Sequence, residues 1–123
     1  MLVLGTSAEH ALAEQVRAGE EGILNWCGTT DLPALVAVLA RAALLVSNDS
    51  GAMHVMAALR RPQVAIFGST SPDWTGPINA KSSVVTLGLP CAPCFSRTCR
   101  YGHYDCLKRI TADDVLEAAL ALL

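Results

Sequence analysis

Short, uninterrupted apolar runs alternate with amphipathic segments along nearly the whole chain, and this alternation constrains the fold more than any other feature. Leu2–Leu4, Ile23–Trp26, Ala43–Val46, Val64–Phe67 and Ser83–Leu87 read as strands. Thr6-Ser7-Ala8-Glu9 has the capping-box pattern and opens a predicted helix whose Ala8, Leu12 and Val16 share one face. A second helix carries Pro33 in its first turn, where a missing N–H costs little, and a stripe of Leu32, Leu35, Val36 and Leu39. A third runs over Ala52–Leu59 until Arg60-Arg61-Pro62 stops it. Thr111-Ala112-Asp113-Asp114 caps a last one, with Val115, Leu116, Ala119, Leu120 and Leu123 apolar. Strands separated by helices imply crossover connections and parallel pairing. The strands are continuously apolar, as expected when both faces of a sheet are covered. The expectation is an α/β fold: one Rossmann-like, three-layer domain over residues 1–123 with a mostly parallel sheet.

Composition narrows the function classes. A chain of 123 residues suits one domain. Its 52% hydrophobic content and net charge of -2 exclude disorder. Nine Lys and Arg against eleven Asp and Glu argue against a generally basic nucleic-acid binder, so no nucleic-acid partner is expected. The longest nearly apolar stretch, Leu32 to Val46, carries Pro33 and Arg41 and is shorter than the ~20 residues of a membrane span. No basic region and cleavage site follow Met1. A cytoplasmic protein is the expectation.

Ligands of open parallel sheets bind beyond the carboxyl ends of the strands. Four small, polar loops leave predicted strand ends: Gly5-Thr6-Ser7, Gly28-Thr29-Thr30, Asn48-Asp49-Ser50-Gly51 and Gly68-Ser69-Thr70. Three of them open helices, whose free N–H groups favour a phosphate or diphosphate. Any one such loop is more readily an ordinary cap or turn; four on one rim point to a nucleotide-type ligand. The phosphate-binding pattern G-x-x-x-x-G-K-[ST] is absent, as is G-x-G-x-x-G, which argues against a dinucleotide oxidoreductase. No G-x-S-x-G nucleophile elbow occurs either.

The sharpest segment is Val46-Ser47-Asn48-Asp49-Ser50-Gly51-Ala52-Met53-His54. Gly51 lets backbone N–H groups approach a phosphate oxygen, Asp49 can accept from sugar hydroxyls, and His54 can donate to a phosphate. The plainer alternative makes Ser50 a helix N-cap assisted by Asp49, with His54 on the helix surface.

Asp49-Ser50-Gly51-x-x-His54, followed by Ala57-Ala58-Leu59, Arg61-Pro62 and Phe67-Gly68-Ser69-Thr70-Ser71-Pro72, resembles the bacterial ADP-heptose:lipopolysaccharide heptosyltransferases. The Cys91 to Cys106 segment, with Leu107-Lys108-Arg109-Ile110-Thr111 after it, is similar to a subset of their heptosyltransferase II branch. The resemblance implies half of a glycosyltransferase-B architecture: the carboxy-terminal, donor-binding domain, entered at its second strand and so incomplete at its amino terminus. It implies an ADP-sugar donor, and a lipid A–core acceptor held by an amino-terminal domain that also supplies the catalytic base. No catalytic residue is therefore expected in this chain. The resemblance places Asp49 on the heptose hydroxyls, Ser50 and Gly51 on the diphosphate with His54 beside them, Glu9 on the ribose hydroxyls and Thr30 at the adenine pocket. Glu9 is by its spacing also a capping-box partner for Thr6. No cofactor is implied for catalysis.

Residues 90–109 form a Cys-rich loop. Cys91, Cys94, Cys99 and Cys106 lie within sixteen residues, together with His103. In a reducing compartment such a pattern reads as a structural zinc or iron–sulfur site more readily than as two disulfides, while free thiols are the third alternative. Cys27 stands apart and reads as buried filler. Arg97, Arg100, Lys108 and Arg109 against Asp105 alone make the same stretch basic. It can face an anionic acceptor or the inner face of the inner membrane, giving peripheral membrane contact, or be a merely solvated loop. Two further readings stay open: a non-catalytic nucleotide-binding or metal-stabilised interaction module, and another two-domain glycosyltransferase or a sugar-nucleotide epimerase.

Overall fold

A computed structural model describes all residues, Met1–Leu123. It is α/β with parallel strands throughout, and its contacts divide it into two compact units, Met1–Ala37 and Val38–Leu123.

The first unit pairs β1 (Leu2–Val3) with β2 (Leu24–Asn25) in parallel, in the register Leu2 to Leu24. A single 3-10 turn, Ser7–Glu9, leads into α1 (His10–Arg17). The apolar face expected from Ala8, Leu12 and Val16 is exposed, with Leu12 and Val16 at 60% and 57%, and α1 buries Ala13 instead. Polar anchors fix this rotation: Asn25 Nδ2 of β2 donates to the His10 carbonyl at 3.1 Å and to Glu14 Oε1 at 2.7 Å. The first turn of α2 (Leu32–Arg41) is capped by Asp31, whose Oδ1 accepts from the Ala34 N–H at 2.9 Å. The unit boundary falls within α2.

The second unit holds a three-stranded parallel sheet in the order β3-β4-β5, made of Leu45–Asn48, Gln63–Ile66 and Ser82–Val85. β3 begins two residues later than the apolar run suggests. The Arg61 guanidinium donates twice to the Ala42 carbonyl (2.7 and 3.2 Å), and the ladder begins where Leu45 pairs with Gln63. Gln63, Val64 and Ala65 are fully buried in succession, so both faces of β4 are covered. α3 (Gly51–Ala58) supplies Met53 against Ala65 and Phe67 on one face. On the other, α6 (Ala112–Leu120) packs over β4 and β5. Gln63 satisfies its buried amide by donating to the Met53 carbonyl and accepting from Ala57 N–H and Ser82 Oγ. The capping box expected at α6 is present: Thr111 N–H and Oγ both donate to Asp114 Oδ2, and Thr111 Oγ accepts from the Asp114 N–H. Two short helices have no periodic signature in the sequence, α4 (Pro72–Thr75) and α5 (Asp105–Lys108).

Candidate functional site

The Asp49-Ser50-Gly51 turn lies where β3 runs into α3, as the strand-to-helix reading requires. Ser50 is the N-cap by its extended backbone, yet its side chain makes no cap hydrogen bond. Asp49 does not assist the cap either. Its Oδ2 accepts from Thr75 Oγ at 2.8 Å, the shorter of two contacts of that hydroxyl, whose oxygen also lies 3.2 Å from the Ser71 carbonyl at the entry of α4. The capping alternative thus lacks the bonds that would define it, and the first N–H groups of α3 have no side-chain acceptor from the turn.

Gly51 has no heavy atom within 4 Å of where a Cβ would stand, and its backbone is not left-handed. Neither chain packing nor local geometry therefore demands glycine here. His54 sits one turn into α3 with an exposed side chain. Asp49, Ser50, Gly51 and His54 are consequently gathered on one strand exit and one helix turn of the second unit.

The remaining two binding candidates lie in the first unit. Glu9 Oε2 accepts from Thr6 N–H at 2.7 Å and Thr6 Oγ at 2.9 Å, the capping-box role. These bonds, from the Thr6 backbone first and its hydroxyl second, hold the Glu9 carboxyl below its ordinary pKa. A Cβ on Gly5 would stand 2.9 Å from Glu9 Oε2 and 3.0 Å from Cys27 Sγ, so glycine there admits the carboxylate. Gly28, at φ +77, passes so close to Ser7 that a Cβ would meet its Cα at 2.9 Å. Thr30 is half-buried just before α2. Cys27 is buried, as expected of filler, and burial pushes its thiol pKa up, with the Glu9 charge adding to the effect.

The loop after β4 departs from expectation. A Cβ on Gly68 would meet Leu107 Cγ at 2.7 Å, and the Ser69 carbonyl accepts from the N–H groups of Cys94 and Phe95 at 3.0 and 2.8 Å. Glycine at this strand end admits the chain itself, not a ligand.

The same contacts locate the cysteines. Cys91, Cys94, Cys99 and Cys106 all line one cavity of about 100 Å³, with His103, Arg97 and Arg100. The thiols are free, and no three His, Cys, Asp or Glu side chains are grouped so that they hold a metal ion. Backbone N–H groups around Cys99, Tyr104 foremost and then those of residues 101–103, lower its pKa despite some desolvation.

Sequence reasoning missed Thr75. The signal available was Ser71-Pro72, an N-cap residue followed by proline, which marks the helix start that brings Thr75 to Asp49.

The family model for glycosyltransferase family 9 (heptosyltransferase) matches residues 1–105. Among curated proteins, the chain is 35% identical over 132 residues to lipopolysaccharide heptosyltransferase 2 of Escherichia coli strain K12, covering 100% of this chain and 37% of that protein. It is 37% identical over 102 residues to lipooligosaccharide heptosyltransferase 2 of Campylobacter jejuni, covering 82% of this chain and 32% of that one. Among solved structures, E. coli ADP-heptose LPS heptosyltransferase II superposes with a TM-score of 0.81 at 33% identity, over 98% of this chain and 35% of that chain. A Veillonella parvula glycosyltransferase family 9 protein gives 0.82 at 27% identity, with the same coverage. The chain thus spans about a third of the length of the proteins it matches.

Proposed function

The chain belongs to glycosyltransferase family 9, the heptosyltransferases, and from that premise we propose that it is the donor-binding part of an enzyme that transfers heptose from an ADP-sugar to the lipopolysaccharide inner core. The observation that carries the reading is the turn at the end of β3. There a glycine with open space around it begins α3, and an aspartate is fixed beside it by Thr75. A diphosphate on the N–H groups of Ser50 and Gly51 gains from charge-assisted hydrogen bonds and the positive end of α3. His54, one turn on, adds a donor. Asp49 then receives the sugar hydroxyls. Within the first unit, taken by itself, Glu9 and Thr30 are the residues proposed for ribose and adenine.

Inverting transfer needs a base on the acceptor hydroxyl and stabilisation of the departing diphosphate. The residues named here serve the second need. The base, and the contacts to the lipid A–core acceptor, belong by this reading to an amino-terminal domain outside residues 1–123, and the reaction takes place at the cytoplasmic face of the inner membrane. Transfer draws on no cofactor. A structural zinc or iron–sulfur cluster that closes Cys91, Cys94, Cys99 and Cys106 onto their shared cavity is a separate proposal; metal analysis of protein prepared without chelators tests it, and Cys94→Ser should release the metal.

The experiment that tests the donor reading is calorimetric titration of the chain with ADP and with ADP-heptose. A donor domain binds ADP-heptose more tightly than ADP. A non-catalytic nucleotide-binding module shows no such preference.

A further inference from the structure

Next to the candidate donor turn lies a surface that the donor reading does not use. Trp74, on α4, is 79% exposed and pairs with Phe95, itself 51% exposed, at a ring-centroid distance of 5.2 Å. Two large aromatic rings facing water side by side are costly unless something covers them. Cations follow directly along the chain: Arg97 and Arg100 line the cavity next to Phe95's neighbours Cys94 and Ser96, Arg100 lies over the exposed Tyr101 ring, and Lys108 lies over Tyr104. The acids nearby are Asp73, beside Trp74, Asp49, which accepts from the adjacent Thr75, and Asp105, which stands 3.7 Å from His103 Nδ1.

The second unit's other large apolar surface is different in kind. Leu116, Leu120 and Leu123 of the α6 segment, with Val46 and Ile66, line an open groove whose charged member is Asp113. The Trp74–Phe95 pair is followed in the chain by Arg97, Arg100 and Lys108, two of them over exposed tyrosine rings, and exposed aromatic rings with arginine and lysine suit the headgroup level of an anionic bilayer.

We propose that Trp74 and Phe95, with Arg97, Arg100 and Lys108, form the surface by which this part of the protein rests on an anionic lipid membrane. The proposal deepens the donor reading and rests on it for its logic: the Thr75–Asp49 hydrogen bond ties the helix bearing Trp74 to the candidate sugar contact, so a bilayer at Trp74 lies beside the turn that a lipid-borne acceptor has to reach. No helix of the chain is long and apolar enough to cross a membrane, so attachment here is interfacial.

The test is co-sedimentation of the full chain with vesicles of phosphatidylethanolamine and phosphatidylglycerol, and with phosphatidylcholine alone. Binding to the anionic vesicles is expected, with a loss of roughly fivefold for each of Arg97→Gln and Arg100→Gln and a further loss in high salt. In a Trp26→Phe background Trp74 is the sole tryptophan, and its emission should shift to the blue on anionic vesicles. Trp74→Ala with Phe95→Ala should weaken binding at least tenfold while leaving ADP binding unchanged. Binding that ignores these substitutions, equal binding to phosphatidylcholine, or none at all overturns the proposal, as does self-association that buries Trp74 without lipid. ADP-heptose affinity measured on the same samples separates the two readings. Vesicle binding lost with donor binding intact removes the membrane surface alone; donor binding absent with vesicle binding intact removes the donor reading.

Discussion

Thr75 Oγ donates to Asp49 Oδ2 at 2.8 Å across twenty-six residues of sequence, joining the exit of β3 to α4. This bond gives Asp49 a fixed orientation and leaves the side chain's other oxygen for a ligand.

Replacing Thr75 by valine keeps the shape and removes the donor. Thr75→Val should cost about 1 kcal/mol of stability, in the range of a single hydrogen bond. It should weaken ADP-heptose binding more than ADP binding. Calorimetry with both ligands and a thermal melt check this; an equal effect on both ligands would detach Asp49 from the sugar.

Two exposed carboxylates cap helices through a threonine, and both are held below their ordinary pKa, chiefly by the threonine backbone N–H and then its hydroxyl: Glu9 by Thr6 and Asp114 by Thr111. A lowered folded pKa contributes stability that is full above the unfolded value, about 4, and is lost as pH falls through the folded one. Stability should therefore be flat near neutrality and fall in acid, and Glu9→Gln with Asp114→Asn should shallow that fall. Melting temperatures between about pH 7 and pH 3 measure it.

The thiols should separate by reactivity. Backbone N–H groups, led by that of Tyr104, favour the Cys99 thiolate, whereas burial opposes ionisation of Cys27. Limited alkylation with iodoacetamide near neutral pH, mapped by mass spectrometry, should label Cys99 early and Cys27 last. Labelling of Cys27 at the rate of Cys99 would show that the fold does not set these reactivities.

Much of the architecture was legible because strand and helix patterns are local. The five strands, the cap at Thr111 and the strand-to-helix placement of Gly51 and His54 all follow from residue type and spacing. What escaped was decided by partners distant in sequence. The rotation of α1 is set by Asn25, the start of β3 by Arg61, and the use of Gly68 by Leu107. The path of the Cys-rich loop was hidden in the same way, since the Ser69 carbonyl that accepts from the Cys94 and Phe95 N–H groups lies some twenty-five residues before them. The orientation of Asp49 was equally hidden, since nothing in its own neighbourhood names Thr75.

The central claim is that the turn at Gly51 receives a diphosphate. The most direct test is the ADP affinity of Gly51→Val, with its melting temperature as control. A Cβ at Gly51 would have no packing neighbour within 4 Å, so the change should leave stability within about 0.5 kcal/mol, the usual effect of a surface substitution. It should obstruct a ligand lying against the backbone, weakening ADP at least tenfold, or about 1.4 kcal/mol. An unchanged ADP affinity in a stably folded Gly51→Val protein would contradict the account at its centre.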